Sequence, residues 1–230
     1  MRQRGAGANG LDKHQIATLV ARDIPRGAYV NLGIGQPTLV ADHLPEGSGV
    51  VLHTENGMLN MGPAAIGDEI DPDLTNAGKI PVTELPGASY FHQADSFAMM
   101  RGGHLDVCVL GAFQVSTGGD LANWATGGAD AIPAVGGAMD LAIGAKQVYV
   151  MMELLTKQGE SKLVAECSYP VTGVDCVDRV YTDLAVFDVT PEGFVVREMV
   201  EDIDFPGLQT KTEGALRPAS DMRPLRAPAV

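Results

Sequence analysis

GVVLHTENGML, Gly49 to Leu59, sets the reading of the chain. Its apolar, β-branched start reads as a strand, and Asn56-Gly57 signals a turn that needs positive φ, so Glu55 stands at the carboxyl end of a strand. A buried strand gains nothing from a carboxylate at its tip, because an unpartnered charge taken out of water costs several kcal/mol or shifts its pKa. In open α/β sheets, however, that edge is where ligand crevices form. A carboxylate presented there on a tight turn and partly desolvated is an activated nucleophile in waiting. Position alone also fits a solvated turn residue.

The flanking sequence supplies the rest of the sheet. LDKHQIATLVARDI (11–24) spaces Leu11, Gln15, Ile16, Leu19 and Val20 as one face of a helix. GAYVNLGIG (27–35) reads as a strand ending in Gly33-x-Gly35, and TLVADHL (38–44) as a short helix after Pro37, a residue tolerated in a first turn. SYFHQADSFAMMRGG (89–103) reads as a helix closed by Gly102, LDVCVLGAFQV (105–115) as one buried strand, and KQVYVMMEL (146–154) as another. CVDRVYTD, LAVFDVT and FVVREMV then read as strands with turns at Asp183 and Pro191-Glu-Gly193. Alternating strands and helices followed by a β-rich run predict an α/β fold: an open, mostly parallel sheet with flanking helices and a mixed extension. Residues 11–208 form a single domain in this reading, after a flexible leader at 1–10 and before a polar, proline-rich tail at 209–230 expected to be mobile.

Composition excludes several classes. The 230 residues are 45% apolar and 20% charged, too rich in core formers for a disordered chain. The formal net charge of −13 argues against binding nucleic acid or an anionic membrane, both of which need basic patches. No run approaches the ~20 apolar residues of a membrane span, and MRQRGAGANG lacks the apolar stretch of a signal peptide, so a cytoplasmic protein is expected. Cys108, Cys167 and Cys176 are odd in number and show no CxxC spacing, as reduced thiols in a reducing compartment would be.

Other candidates are weaker alone. His53 and Glu55 lie two apart and would share a strand face, as metal ligands can, but nothing completes a ligand set, and no metal is expected. NLGIGQPT lacks the third glycine and the lysine of a phosphate loop. Gly127-Gly128 reads as a plain turn; Gly136-Gly137, opening the helix-capable AMDLAIGAK, can also aim bare backbone N–H groups at a developing oxyanion. GAFQVSTGGDLANW gathers Gln114, Ser116, Asp120, Asn123 and Trp124, which either line a pocket or cap loops.

Together these segments resemble the B subunits of the two-chain 3-oxoacid coenzyme A transferases, a class I CoA-transferase family, over roughly residues 11 to 208. The likeness runs in order through GAYVNLGIGQPTLVADHL, LHTENGMLNMGP, DLTNAGK, LPGASYFHQADSFAMMRGGHLDVCVLGAFQVS, GDLANW, VGGAMDLAIGAKQVYVMMEL and YTDLAVFDVTPEGF. HQADSFAMMRGGHLD, GGADAIPAVGGAMDL and LTKQGESKLV bring it nearest to the 3-oxoadipate (β-ketoadipate) branch, with acetoacetate-type enzymes close behind. The resemblance implies Glu55 as nucleophile and Gly137 as a backbone oxyanion donor; Asn56, Gly57, Gln114, Asn123 and Gly136 are the candidates for the coenzyme A site. It implies no permanently bound cofactor, coenzyme A itself being substrate and covalent thioester. It further implies succinyl-CoA and a 3-oxo acid as substrates and, as partner, the CoA-transferase A subunit, a separate chain, in a heterodimer or heterotetramer. Thr54 stands where the family has serine, and Asn60 where it has glycine; threonine keeps the hydroxyl, and asparagine tolerates left-handed geometry better than most residues. These departures motivate a rival expectation, a non-catalytic scaffold or regulatory chain; the His53 and Glu55 pair motivates another, a metal hydrolase. Arg101 and Lys146 are the cations considered for a dianionic substrate, against a plainer role as surface charges.

Overall fold

The computed structural model describes residues 10–127 and 135–228. The expected leader lies outside them apart from Gly10, as does Gly128 of the Gly127-Gly128 pair. Helix α1 (Lys13–Asp23) starts on a capping box: the Asp12 carboxylate accepts from the backbone of His14 and Gln15 at 2.8 and 2.9 Å, and the Gln15 side chain returns to the Asp12 N–H at 2.9 Å. It stops at Ile24, extended ahead of Pro25, as a residue before proline prefers. Its buried face is Ile16, Ala17, Leu19, Val20 and Ala21.

Strand β1 (Tyr29–Leu32) leads into a 3₁₀ helix at Gln36–His43, where a short helix was expected without its type. Strand β2 (Val51–Thr54) ends at the Glu55 turn and is followed by an antiparallel arm that sequence patterning did not foreshadow, β3 (Met58–Ala64) and β4 (Val82–Tyr90). Helix α2 (Gln93–Arg101) closes on Gly102 as expected, although Ser89 and Tyr90 belong to β4. The single strand expected over 105–115 is two, β5 (Val107–Leu110) and β6 (Gln114–Ser116), which lie in different sheets. After β7 (Leu121–Ala122) and the short helix α3 (Ala138–Gly144) come β8 (Gln147–Met151), β9 (Leu163–Val164), β10 (Arg179–Tyr181), β11 (Ala185–Thr190), β12 (Gly193–Val200), α4 (Phe205–Gln209) and β13 (Leu216–Leu225).

Among the described residues, ten strands form one sheet in the order β13-β12-β11-β10-β8-β5-β1-β2-β3-β4; β7-β6-β9 form a small second sheet. From β10 to β2 every pairing is parallel, with antiparallel pairs on either side. Central β5 is buried along its length and β8 along all but Gln147, as strands covered on both faces must be. Helix α1 packs on β8 and β10, α3 on β5, and α2 on α3.

The tail is corrected by the structure. Residues 216–225, inside the expected tail, form the edge strand β13, parallel to β12. Leu216 and Leu225 are buried, and the carboxylate of Glu198 on β12, itself buried, binds Arg223 of β13 and Arg22 of α1, each at 2.7 Å. Pro218 and Pro224 are tolerated because an edge strand leaves one row of N–H groups unpaired. Among the described residues no helix is long and apolar enough to cross a membrane.

Candidate active site

The chain leaves β1 for β2 on one side and later returns to the other side as β5, so strand order reverses beside β1. That switch point opens a crevice at the carboxyl ends of parallel strands. It is occupied by a cleft of about 540 Å³. Its walls are Gly33 and Ile34 after β1, Glu55 after β2, Gly111 to Phe113 after β5, and Met152 and Glu153 after β8, with Gly136 and Gly137 at the head of α3.

Glu55 sits half-buried in a turn closed by Gly57 N–H donating to the Thr54 carbonyl at 3.1 Å. Gly57 has φ +113°, and a Cβ there would overlap the Phe91 carbonyl, while Phe91 N–H donates to the Gly57 carbonyl at 3.0 Å. Only glycine meets both demands. The Thr54 hydroxyl accepts from Met58 N–H at 3.1 Å, so a hydroxyl at this position shapes the turn whether serine or threonine carries it. Asn60 adopts φ 63° and donates its amide to the Pro86 carbonyl at 3.0 Å, the left-handed position that asparagine was expected to tolerate.

Beneath the turn lies a buried polar network that the sequence did not reveal. The Asn31 amide donates to His53 Nδ1 at 2.9 Å and to the His53 carbonyl at 3.1 Å. An amide N–H₂ only donates, so Nδ1 accepts and the ring proton is on Nε2, 2.9 Å from the Ser96 hydroxyl, which in turn donates to the Thr54 carbonyl at 3.1 Å. Both ring nitrogens are therefore engaged, and His53 has no lone pair to share with Glu55 on a metal. The metal-hydrolase expectation loses its basis here, and no group of three metal-ligating side chains occurs among the described residues. Burial pushes His53 down to about 4 from 6.5. The unfolded chain takes up a proton near pH 6.5 that the folded state refuses until about 4, so the stabilisation is complete above 6.5 and is lost as pH falls through that window. The expected loss between those limits is on the order of 3 kcal/mol. Urea midpoints measured from pH 7.5 down to 4 should fall accordingly, and His53→Gln should flatten the profile.

The electrostatics of Glu55 are opposed. Burial raises its carboxyl, and a hydrogen bond from the Gly137 backbone N–H lowers it. Gly137, buried at the head of α3, lies so close that a Cβ would overlap Glu55 Oε2. The cleft thus unites Glu55, Gly136, Gly137 and Asn123. Asn123 holds loops rather than presenting a free amide: its side chain donates to the Gly111 carbonyl at 3.1 Å and accepts from the Thr172 hydroxyl at 2.7 Å. Gln114 lies outside the lining, its amide bound to Ser168 and Tyr169. Asn56 and Gly57 shape the turn from outside the cleft, Asn56 donating to the Thr75 carbonyl at 2.8 Å. Arg101 and Lys146 are paired with Asp140 and Asp106 at 2.6 and 2.8 Å, away from the lining; the cleft's cations are instead Lys157 and Lys162.

A carboxylate at a strand's carboxyl end, facing a backbone donor in a switch-point cleft, is an arrangement able to carry acyl transfer. The chain belongs to the coenzyme A transferase family, whose model, described as "Coenzyme A transferase", matches residues 13–211. It is 64% identical over 199 residues to the B subunit of 3-oxoadipate CoA-transferase from Pseudomonas putida, covering 86% of this chain and 93% of that one. To the B subunit of succinyl-CoA:3-ketoacid coenzyme A transferase from Helicobacter pylori (strain ATCC 700392 / 26695) it is 46% identical, covering 87% and 96%. In fold it resembles the crystal structure of an acyl-CoA transferase from Escherichia coli O157:H7, with a TM-score of 0.73 at 18% identity over 98% of this chain and 45% of that one.

Proposed function

We propose that this chain is the B subunit of a heteromeric CoA-transferase that moves coenzyme A from succinyl-CoA to a 3-oxo acid, with 3-oxoadipate the first candidate and acetoacetate the second. The observation that carries the reading is the half-buried Glu55 carboxylate held against the Gly137 N–H at the switch point. A Glu55 oxygen attacks the thioester carbonyl of succinyl-CoA; the C–O bond forms, the C–S bond breaks, and coenzyme A leaves as thiolate, giving a mixed anhydride. The thiolate then attacks the Glu55 carbonyl carbon and expels succinate, which carries away one glutamate oxygen. Glu55 is left as a coenzyme A thioester. The acceptor carboxylate reverses both steps and restores the glutamate. A carboxylate nucleophile suits this exchange because anhydride and thioester are each reached from acids of similar energy.

When thiolate or acid adds to the Glu55 carbonyl, the oxyanion forms on a Glu55 oxygen, the atom type that Gly137 N–H already addresses. A donor in place before the charge develops needs no reorganisation. Water must be kept from the anhydride and thioester. Glu153 and Lys157, exposed at the rim, leave the cleft open on this chain. A separate partner chain, the A subunit implied by the relatives' designation as B subunits, closes it in a heterodimer or heterotetramer. The free thiols of Cys108, Cys167 and Cys176 suit a cytoplasmic setting.

The test is to purify the chain with its A subunit, add succinyl-CoA without acceptor, and trap with hydroxylamine or borohydride. Peptide mass spectrometry should place the modification on Glu55. No adduct at Glu55 in a pair that still turns over would overturn the mechanism.

A further inference from the structure

We propose that Lys162, with Lys157 at the rim, forms a cationic subsite for the second carboxylate of a dicarboxylic acyl group, so that this chain itself selects dicarboxylate substrates. The inference rests on the transferase reading above and adds the side chains of this chain that would hold the distal carboxylate. Both lysines lie between β8 and β9 and line the cleft that contains Glu55 and Gly137.

The root of Lys162 is fixed. Its backbone N–H donates to the Leu154 carbonyl at 3.0 Å, and its carbonyl accepts from Val115 N–H at 2.9 Å, so the side chain projects from a bonded segment. Lys162 is half-buried, yet its ammonium makes no ion pair within 4.0 Å among the described residues, whereas Lys146 and Arg101 are paired. The carboxylates it feels are Glu153 and Asp183. Asp183 is engaged with the Leu154 N–H at 2.8 Å, and Glu153 is exposed. Burial lowers the Lys162 ammonium, the signature of a cation that has lost water without gaining a full partner. An incoming anion would supply that partner. Leu110, Ala112, Met151 and Met152 line the same cleft, apolar surface on which the methylenes of a succinyl or 3-oxoadipyl group can lie. A lysine suits two substrates of unequal length, because it acts as a point charge on a flexible stem and does not demand the planar geometry of arginine.

Coenzyme A phosphates are anions as well, and the experiment separates the two sources. Lys162→Met and Lys162→Arg are each purified with the A subunit, then assayed with succinyl-CoA as donor. In a ping-pong reaction kcat/KM for the acceptor reports the acceptor half-reaction alone. Lys162→Met should lower the ratio of kcat/KM for 3-oxoadipate to that for acetoacetate by about tenfold to a hundredfold, mainly through KM, the range of a lost hydrogen bond to a charged group. Lys162→Arg should recover most of it. The loss should be equal for succinyl-CoA and succinyl-pantetheine, which lacks the phosphates. An unchanged ratio, or a loss seen with succinyl-CoA and absent with succinyl-pantetheine, overturns the proposal. If the wild-type pair transfers no coenzyme A, the transferase reading falls, and calorimetry decides the subsite alone. A preference of about tenfold or more for succinate over butyrate in the wild type that is lost in Lys162→Met supports it; equal wild-type affinities, or a preference that Lys162→Met keeps, overturn it.

Discussion

Glu55→Gln should lower the transfer rate on the order of 10⁴-fold or more and abolish the trapped adduct, while the chain folds and assembles normally. Glutamine keeps the volume of the side chain and an oxygen that can accept from Gly137 N–H, but its amide does not attack a thioester. The stability side of the experiment has a definite sign. Burial raises the Glu55 carboxyl above its ordinary range, so the folded state holds that proton more tightly than the unfolded chain. Stability from this group is therefore present at low pH and is lost as pH rises through the raised pKa, which makes the ionised carboxylate a net cost at neutral pH. Glu55→Gln removes that cost, and the melting temperature of the assembled pair should stay level or rise. Loss of activity together with retained or increased stability is what a strained functional group predicts. A Glu55→Gln pair with full turnover would instead favour the scaffold reading.

A carboxylate at the end of β2 is a poor choice for a core, and the chain accommodates it with one backbone donor from Gly137 and a turn fixed by Gly57 and Thr54. The turn is held in place by His53, Asn31 and Ser96, which connect β2, β1 and α2 under the nucleophile. Rigid support of this kind matters because small displacements of a nucleophile cost large factors in rate.

How much of this was legible follows from where the information resides. β5 and β8 announce themselves as unbroken apolar runs, and Glu55 with its Asn-Gly turn marks a strand's end, because these signals are local. The β3 and β4 arm does not, since Asn60, Pro63, Pro86 and Gly87 interrupt it and most of β4 is exposed, leaving no clean alternation to read. β13 was hidden for a different reason. Two prolines and a polar composition look like a tail, and the order comes from pairing with β12 and from Arg223 on Glu198, contacts made through tertiary folding. The same holds at the site: Gly136-Gly137 is visible as a pair of glycines, whereas Lys162 lines the cleft only because the segment after β8 folds back to place β9 beside β6. Gln114, polar and at a strand's start, reads as a ligand contact from sequence, and its bonds to the 168–169 loop come only with the tertiary fold.

Gly137→Ala should lower the transfer rate by about 10²-fold or more with little effect on stability, and the reason is geometric. With φ −85° and ψ 4°, position 137 lies in the bridge region, which L-residues enter at the third position of type I turns, so an alanine there adds little backbone strain. Its Cβ would nevertheless overlap Glu55 Oε2 and lie 3.4 Å from the Phe97 ring, so either the carboxylate swings away or the head of α3 withdraws. Both movements part the nucleophile from its donor. Gly136→Ala is the matched comparison: φ is +50° there and a Cβ meets nothing within 4 Å, so its cost is backbone strain of about 1–2 kcal/mol, without a collision at Glu55. The two neighbours should therefore separate in a paired measurement of melting temperature and single-turnover thioester formation, Gly136→Ala losing mainly stability and Gly137→Ala mainly rate. If both lose rate equally while stability is untouched, the Gly137 N–H has no special relation to the carboxylate, and the assignment of the oxyanion donor fails even if Glu55 remains the nucleophile.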